Sequence, residues 1–333
     1  MFQLNEEQAK EFLRKNGVNN CEIKKVAGDA SFRSYYRIFT EEKTYILMFA
    51  PPGYEEVKPF IKIAEFLVSH NFSAPQIFAL DEKLGFLLLE DLGDDTYGRI
   101  LAVEPSKELP LYEKACDCLL ELHKLDAPKD LPTYNHALLF REVMLFVDWY
   151  IPLQKKTISL QEIARFKFLW FQLFDLLSQS NSLRDLSLKT ENSVLVLRDY
   201  HADNLMALPK RNAHHQVGLL DFQDAVIGSK AYDLVSLLED ARRDVSEVNR
   251  VKILEHYLAK SDCDKESFTR DYEILSLQRN IKIVGIFSRL SVRDGKHNYL
   301  NLMPRVLGFV KMRLESQNQI FSEISDLLKK FIQ

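Results

Sequence analysis

Apolar and polar residues alternate in three short runs near the amino end, 22–27, 34–39 and 44–49. Alternation with period two over five or six residues predicts antiparallel strands. The three consecutive leucines at 87–89 predict a further, more deeply buried strand. Helical spacing governs most of the rest. Residues 5–15 open the chain as a helix, Phe60, Ile63, Ala64 and Leu67 share one face of a helix over 57–68, and 111–126 and 138–151 follow the same period. Two apolar runs, 205–208 and 217–220, flank a polar stretch over 209–216, the pattern of a hairpin. Another helix starts in YDLVSLL, where Asp233 stands in or near the first turn and is placed to accept backbone amides.

A chain of 333 residues with 46% hydrophobic content can bury one large core or two unequal ones, and two lobes are expected. The net charge of -4 offers no electrostatic case for nucleic acid or an anionic membrane. NEEQAKEFLRKN is charged and helix-periodic, unlike a secretory leader, and no apolar run reaches the length of a membrane span. Cys21, Cys116, Cys118 and Cys263 are too few and too scattered for a disulfide framework, which predicts a reducing, cytoplasmic setting.

The chemistry is concentrated on either side of the hairpin. LRDYHADNLM (197–206) and VGLLDFQDA (217–225) contribute Asp199, Asn204 and Asp221 at the ends of apolar runs. Acidic groups so placed are costly unless paired or metal-bound. Mg²⁺ takes few protein oxygens and leaves its other positions to water and phosphates, and Asn204 with Asp221 supplies that modest set. D-x-x-x-x-N followed by an apolar strand ending in Asp is also how kinases place a base for the acceptor hydroxyl and an amide for the metal. Asp199 is therefore expected as the base, and Asn204 and Asp221 as metal ligands.

Residues 194–238, from VLVLRDYHADN to YDLVSLL, resemble the catalytic core of the aminoglycoside phosphotransferase-like branch of the kinase fold. Within it, DFQDAVIG with YDLVSLLEDARRD is similar to the anomeric kinases that phosphorylate N-acetylmuramate and N-acetylglucosamine at carbon 1 in cell-wall recycling. GDASFRSYYRI (28–38), ILMFAPPG (46–53), LLLEDLGD (87–94) and LQRNIKIVGIFSRLSVRDGK (277–296) agree with it. The resemblance implies an α+β, bilobal, protein-kinase-like fold: a small antiparallel-sheet lobe over 1–90 and a larger, mainly helical lobe over 91–333. It also implies ATP and Mg²⁺ as cofactors, an amino-sugar substrate and no obligate protein partner. The alternatives are another small hydroxyl acceptor, such as an aminoglycoside, choline or a sugar amine, and a catalytically inactive kinase-like binding module.

In this frame the turn GDASFRS places Ser31, Phe32 and Arg33 against nucleotide phosphates, and Leu89, Glu90 and Leu92 border the adenine. The strand lysine that kinases pair with a helix glutamate is missing. Met48, or Leu47 or Phe49 in another register, stands in its place, which leaves Glu65 without its expected partner. Arg33, or else Arg37, is expected to supply the charge, because guanidinium groups bind phosphate bidentately. For the sugar, Glu142 and Trp149 lie on the helix over 138–151, and Asp224 follows the metal ligand. Arg242, Arg243, Arg279 and Arg289 are the candidates for a substrate carboxylate. His201 is expected to pack or hydrogen-bond rather than act as a second base.

Overall fold

The computed structural model describes residues 4–28, 32–177 and 193–332. Packing divides the chain into two compact units, Met1–Glu104 with Asp203–Ala225, and Pro105–Ala202 with Val226–Gln333. Asp203–Ala225, which carries the hairpin, thus groups with the amino-terminal residues.

The first unit is built on five antiparallel strands, β1 (Glu22–Gly28), β2 (Ser34–Phe39), β3 (Thr44–Phe49), β4 (Ile77–Asp81) and β5 (Phe86–Glu90), in the order β1-β2-β3-β5-β4. Side chains alternate across the sheet. Tyr36, Ile38, Leu47, Phe86 and Leu88 turn to one face and pack against Ala9, Phe12 and Leu13 of the helix Glu6–Lys15. Each large side chain so buried stabilises the fold by about 1.5–3 kcal/mol. The helix Lys58–Ser69 buries Phe60, Ile63, Ala64 and Leu67, the four positions its periodicity marks. Strand β4, whose burial pattern is weak, is not evident from the sequence alone.

The hairpin of β7 (Leu205–Ala207) and β8 (Val217–Leu219) is sewn into this unit rather than merely appended. Leu219 N–H donates to Ser73 O at 2.8 Å, Ala207 N–H to Asp95 O at 2.8 Å, and Ser73 Oγ to His215 O at 2.7 Å. Its turn is less open than its composition suggests: His214 and His215 are half-buried, with His214 against Phe72.

The second unit is helical around one 30-residue helix, Lys265–Asp294. Asp264 caps its start by accepting Ser267 N–H at 2.8 Å, and Gly295 ends it in the left-handed region at φ 66°. Most of its faces are buried, polar positions such as Asp271, Gln278, Arg279, Asn280 and Lys282 included, which makes it the core helix of this unit. It packs on His136–Leu145, on the π-turn Phe146–Tyr150, on Ala231–Leu238 and on Met303–Leu314. Closest approach falls at Gly285, where an added Cβ would stand 2.5 Å from the backbone carbon of Leu145. The strands β6 (Ser193–Val196) and β9 (Val226–Ser229) pair antiparallel and lead into and away from the segments that carry the chemistry. All four cysteines are thiols, and burial pushes Cys118 up to about 12.

Candidate active site

In the first unit a cleft of about 510 Å³ opens on the sheet face opposite the helix Glu6–Lys15. Its lining includes Tyr35, Arg37 and Ile46 from the strands, Leu89 and Glu90 from the end of β5, Leu92 from the linker after it, and Asn204 and Asp221 from the hairpin. The three residues expected to border a nucleotide base are therefore on its wall.

Asn204 and Asp221 are brought together by strand pairing. Leu205 faces Leu219 in register, and Leu220 N–H donates to Asn204 O at 3.0 Å, which places the two side chains 3.5 Å apart at Nδ2 and Oδ2. Asp221 is held at φ 57°, a left-handed conformation that is costly outside glycine. Gln223 Nε2 donates to Asp221 Oδ1 at 2.8 Å and steadies that carboxylate. One carboxylate and one amide converging in a polar cleft suit Mg²⁺, which retains water and phosphate oxygens as its other ligands. No group of three or more acidic, histidine or cysteine side chains placed to hold a metal ion occurs among the described residues.

The two candidate phosphate cations have different surroundings. Arg37 is spent on a rigid clamp, with Nε 2.7 Å from Asp91 Oδ2, Nη1 2.8 Å from Asp94 Oδ2 and Nη2 3.1 Å from Gly93 O. Asp94 lies below its ordinary carboxylate range chiefly through that hydrogen bond. Arg33 is buried and sits at ion-pair distance from two acids, 3.9 Å from Glu55 Oε2 and 3.8 Å from Asp221 Oδ1. Glu55 was not legible in the sequence, because it follows PPGY in an aperiodic loop. Phe32 is exposed, meets Tyr54 edge-on, and donates its N–H to Glu55 Oε1 at 3.1 Å. Ser31 lies outside the described residues. Met48 is fully buried, and Glu65 is exposed on its helix.

In the second unit, Asp199 is half-buried in the loop that follows β6. Burial would raise its carboxyl, but the charges of Lys282, Arg279 and Arg198 hold it below its usual value. The loop before it is pinned by Asp233, whose two oxygens accept Leu197 N–H at 2.7 Å and Arg198 N–H at 2.8 Å, as its place in the first helical turn suggested. His201 is buried, and burial, with Arg242 alongside, takes it down to about 3, so it is neutral. Its Nε2 lies 3.1 Å from Arg242 Nη1, which makes it an acceptor and leaves it unsuited to take a proton.

The remaining sugar-site candidates separate by environment. Glu142 is buried inside a network, paired with Arg198 and Lys282, the latter at 3.3 Å, and accepting from Tyr134 and Gln278. Lys282 also reaches Tyr232 Oη at 3.2 Å. A lysine inside the apolar run NIKIVG was the available signal for this network. Arg243 is engaged by Glu108 at 3.0 Å and Tyr112 at 3.0 Å, and buried Arg279 by Ser236 at 2.7 Å. The acidic end of EDARRD is no exposed helix end, since Glu239 and Asp240 are buried. Glu239 accepts from Ser276, Asn280 and Arg313 at 2.6–2.7 Å. Arg289 is half-buried, and its enclosed Nε has no hydrogen-bond partner among the described residues. Trp149 is half-buried and Asp224 exposed.

Comparison with known proteins places this geometry. The family model described as the phosphotransferase enzyme family matches residues 22–270. The N-acetylmuramate/N-acetylglucosamine kinase of Caulobacter vibrioides is 33% identical, with 89% of this chain and 88% of that protein covered. The protein of the same name from Pseudomonas aeruginosa is 34% identical over 93% and 89%. Among solved structures, the ADP-bound aminoglycoside phosphotransferase APH(2'')-Ib has a TM-score of 0.61 at 14% identity, covering 96% of this chain and 99% of that one. The choline kinase LicA from Streptococcus pneumoniae has a TM-score of 0.60 at 16% identity, covering 92% and 99%. These two likenesses concern the fold alone, a protein-kinase-like one. No described helix is long and apolar enough to cross a membrane. The chain belongs to the phosphotransferase enzyme family.

Proposed function

We propose that this chain is an ATP-dependent kinase that phosphorylates the anomeric hydroxyl of N-acetylmuramate, N-acetylglucosamine or both, in the recycling of peptidoglycan. The observation that carries this reading is the pairing of Asn204 with Asp221 on the wall of a nucleotide-sized cleft, in a chain whose relatives of about one-third identity bear that kinase name.

Phosphoryl transfer asks a protein mainly for positioning and charge neutralisation. Asn204 and Asp221 hold Mg²⁺, which neutralises the charge of the nucleotide phosphates. Leu89, Glu90 and Leu92 border the base. Asp199 orients the C1 hydroxyl and accepts its proton as the new oxygen–phosphorus bond forms and ADP departs. An anomeric hydroxyl is more acidic than an ordinary alcohol, so a carboxylate that is ionised at neutral pH suffices as the base.

Among the four arginines named for a substrate carboxylate, Arg289 is the best placed to receive the lactyl group of N-acetylmuramate. Arg243 and Arg279 are engaged by the fold. Arg242 is oriented by neutral His201 beside the catalytic loop. Arg289 retains a buried N–H with no acceptor among the described residues, and a carboxylate supplies one. Four free thiols favour a reducing compartment, the cytoplasm.

A substrate panel with ATP and Mg²⁺ tests the proposal. N-acetylmuramate and N-acetylglucosamine are turned over, and their 1-O-methyl glycosides are not. Turnover of the methyl glycosides would reject attack at carbon 1, and turnover of an aminoglycoside or choline alone would reject the amino-sugar assignment.

A further inference from the structure

The cleft lacks the strand lysine that kinases use to grip nucleotide phosphates, and a buried arginine stands beside one of its lining carboxylates, Asp221. Met48, at the lysine's place, pairs directly with Tyr35 on the neighbouring strand. Tyr35 and Arg37 of β2 and Ile46 of β3 line the cleft, and Met48 shares their face by the alternation of side chains. Arg33 immediately precedes β2 and is in phase with Tyr35 and Arg37. It stands two residues, about 7 Å, from the position opposite Met48. From there a planar guanidinium presents several N–H donors where lysine would have offered a single ammonium at the Met48 position.

Arg33 is also held, as a kinase lysine is, by a glutamate. Glu55 accepts the N–H of Phe32 at 3.1 Å with one oxygen and lies 3.9 Å from Arg33 Nε with the other. The far edge of the guanidinium is 3.8 Å from Asp221 Oδ1. Arg37 is not an equivalent source of charge, because two carboxylates and a carbonyl already take up its fork.

Resting on the proposed use of ATP, we propose that Arg33 is the phosphate-gripping cation of this cleft, with Glu55 as its positioning residue, the pair replacing the strand lysine and helix glutamate of other kinases. Arg33 would then turn from Asp221 toward the β-phosphate when Asp221 takes the metal. Its contribution belongs to the phosphates beyond the first and not to the nucleoside.

The test is calorimetric binding of ADP and AMP, each with Mg²⁺, to the full chain and to its Arg33→Met and Glu55→Gln variants. The wild-type chain binds ADP more tightly than AMP. Arg33→Met loses about 10- to 100-fold in ADP affinity, the range for one charge-assisted hydrogen-bonding partner, and keeps its AMP affinity, which shows that the cleft is folded. Glu55→Gln shows a smaller loss in the same direction. Unchanged ADP affinity in Arg33→Met, or equal losses for ADP and AMP, would overturn the inference while leaving the kinase assignment intact. A wild-type chain that binds neither nucleotide would remove the ATP reading, and this inference with it.

Discussion

Asp233 accepts the backbone N–H of Arg198 at 2.8 Å, and Arg198 holds φ at 71° immediately before Asp199. A non-glycine residue in that conformation costs on the order of 1–3 kcal/mol and persists only where its surroundings over-determine it. Here the overdetermination comes from both oxygens of one buried carboxyl, since the second accepts Leu197 N–H. Asp233→Asn turns one acceptor into a donor facing an N–H. A loss of about 1–3 kcal/mol of stability is expected, measurable by denaturant unfolding.

The same residue gives a pH signature. Burial pushes Asp233 from 3.8 up to about 7 in the fold, against the two N–H donors that lower it. A carboxyl raised in the folded state contributes stability that is complete below its unfolded value and is lost as pH rises through the folded one. The stability gap between wild type and Asp233→Asn therefore narrows from pH 4 to pH 8. A gap that widens over that range would show that the carboxylate form is the preferred one.

Asp199 behaves in the opposite sense. Cations around it outweigh its burial and keep it below 3.8, so the base form is present throughout the neutral range. At saturating MgATP, kcat is expected to be flat from pH 6 to pH 9, and Asp199→Asn to lower it by about 10²–10⁴-fold with little change in nucleotide affinity. An essential group titrating above neutrality would point to another base.

Arg289→Met separates the two proposed sugars. The kcat/KM for N-acetylmuramate is expected to fall about 10- to 100-fold, the value of a charge-assisted partner, while that for N-acetylglucosamine, which has no lactyl carboxylate, stays near wild type. Equal losses on both sugars would assign Arg289 to the fold rather than to selectivity.

Gly285→Ala tests the packing beneath the second unit's network. A methyl there meets the carbon, Cβ and oxygen of Leu145 at 2.5–2.7 Å, and backbone cannot yield as a flexible side-chain tip does. Overpacking of this kind costs about 1–3 kcal/mol, readable as a lowered unfolding midpoint.

Much of the framework was legible in the sequence because its signals are local. Strict alternation marked β1, β2 and β3, and the hairpin turn announced β7 and β8 around Asn204 and Asp221. The helix face of Phe60, Ile63, Ala64 and Leu67 was legible for the same reason. What escaped was non-local. Glu55 meets Arg33 across a loop with no periodicity, and Arg37 is committed to Asp91 and Asp94 only once β2 and the linker after β5 are in place. Glu142 looked like a polar residue available to a sugar, yet Lys282 and Arg198, distant in sequence, claim it. The missing lysine at Met48 and Arg33 as a candidate for its charge could be noticed in one dimension, but the approach of Glu55 to Arg33 required three.

The most direct measurement is the structure of the product. After incubation of the chain with N-acetylmuramate, ATP and Mg²⁺, proton–phosphorus correlation by NMR is expected to couple the new phosphorus to the anomeric proton, with the initial rate of product formation strongly reduced in the Asp199→Asn variant. Coupling to a proton of another ring position, or an unchanged initial rate for Asp199→Asn, would contradict the account.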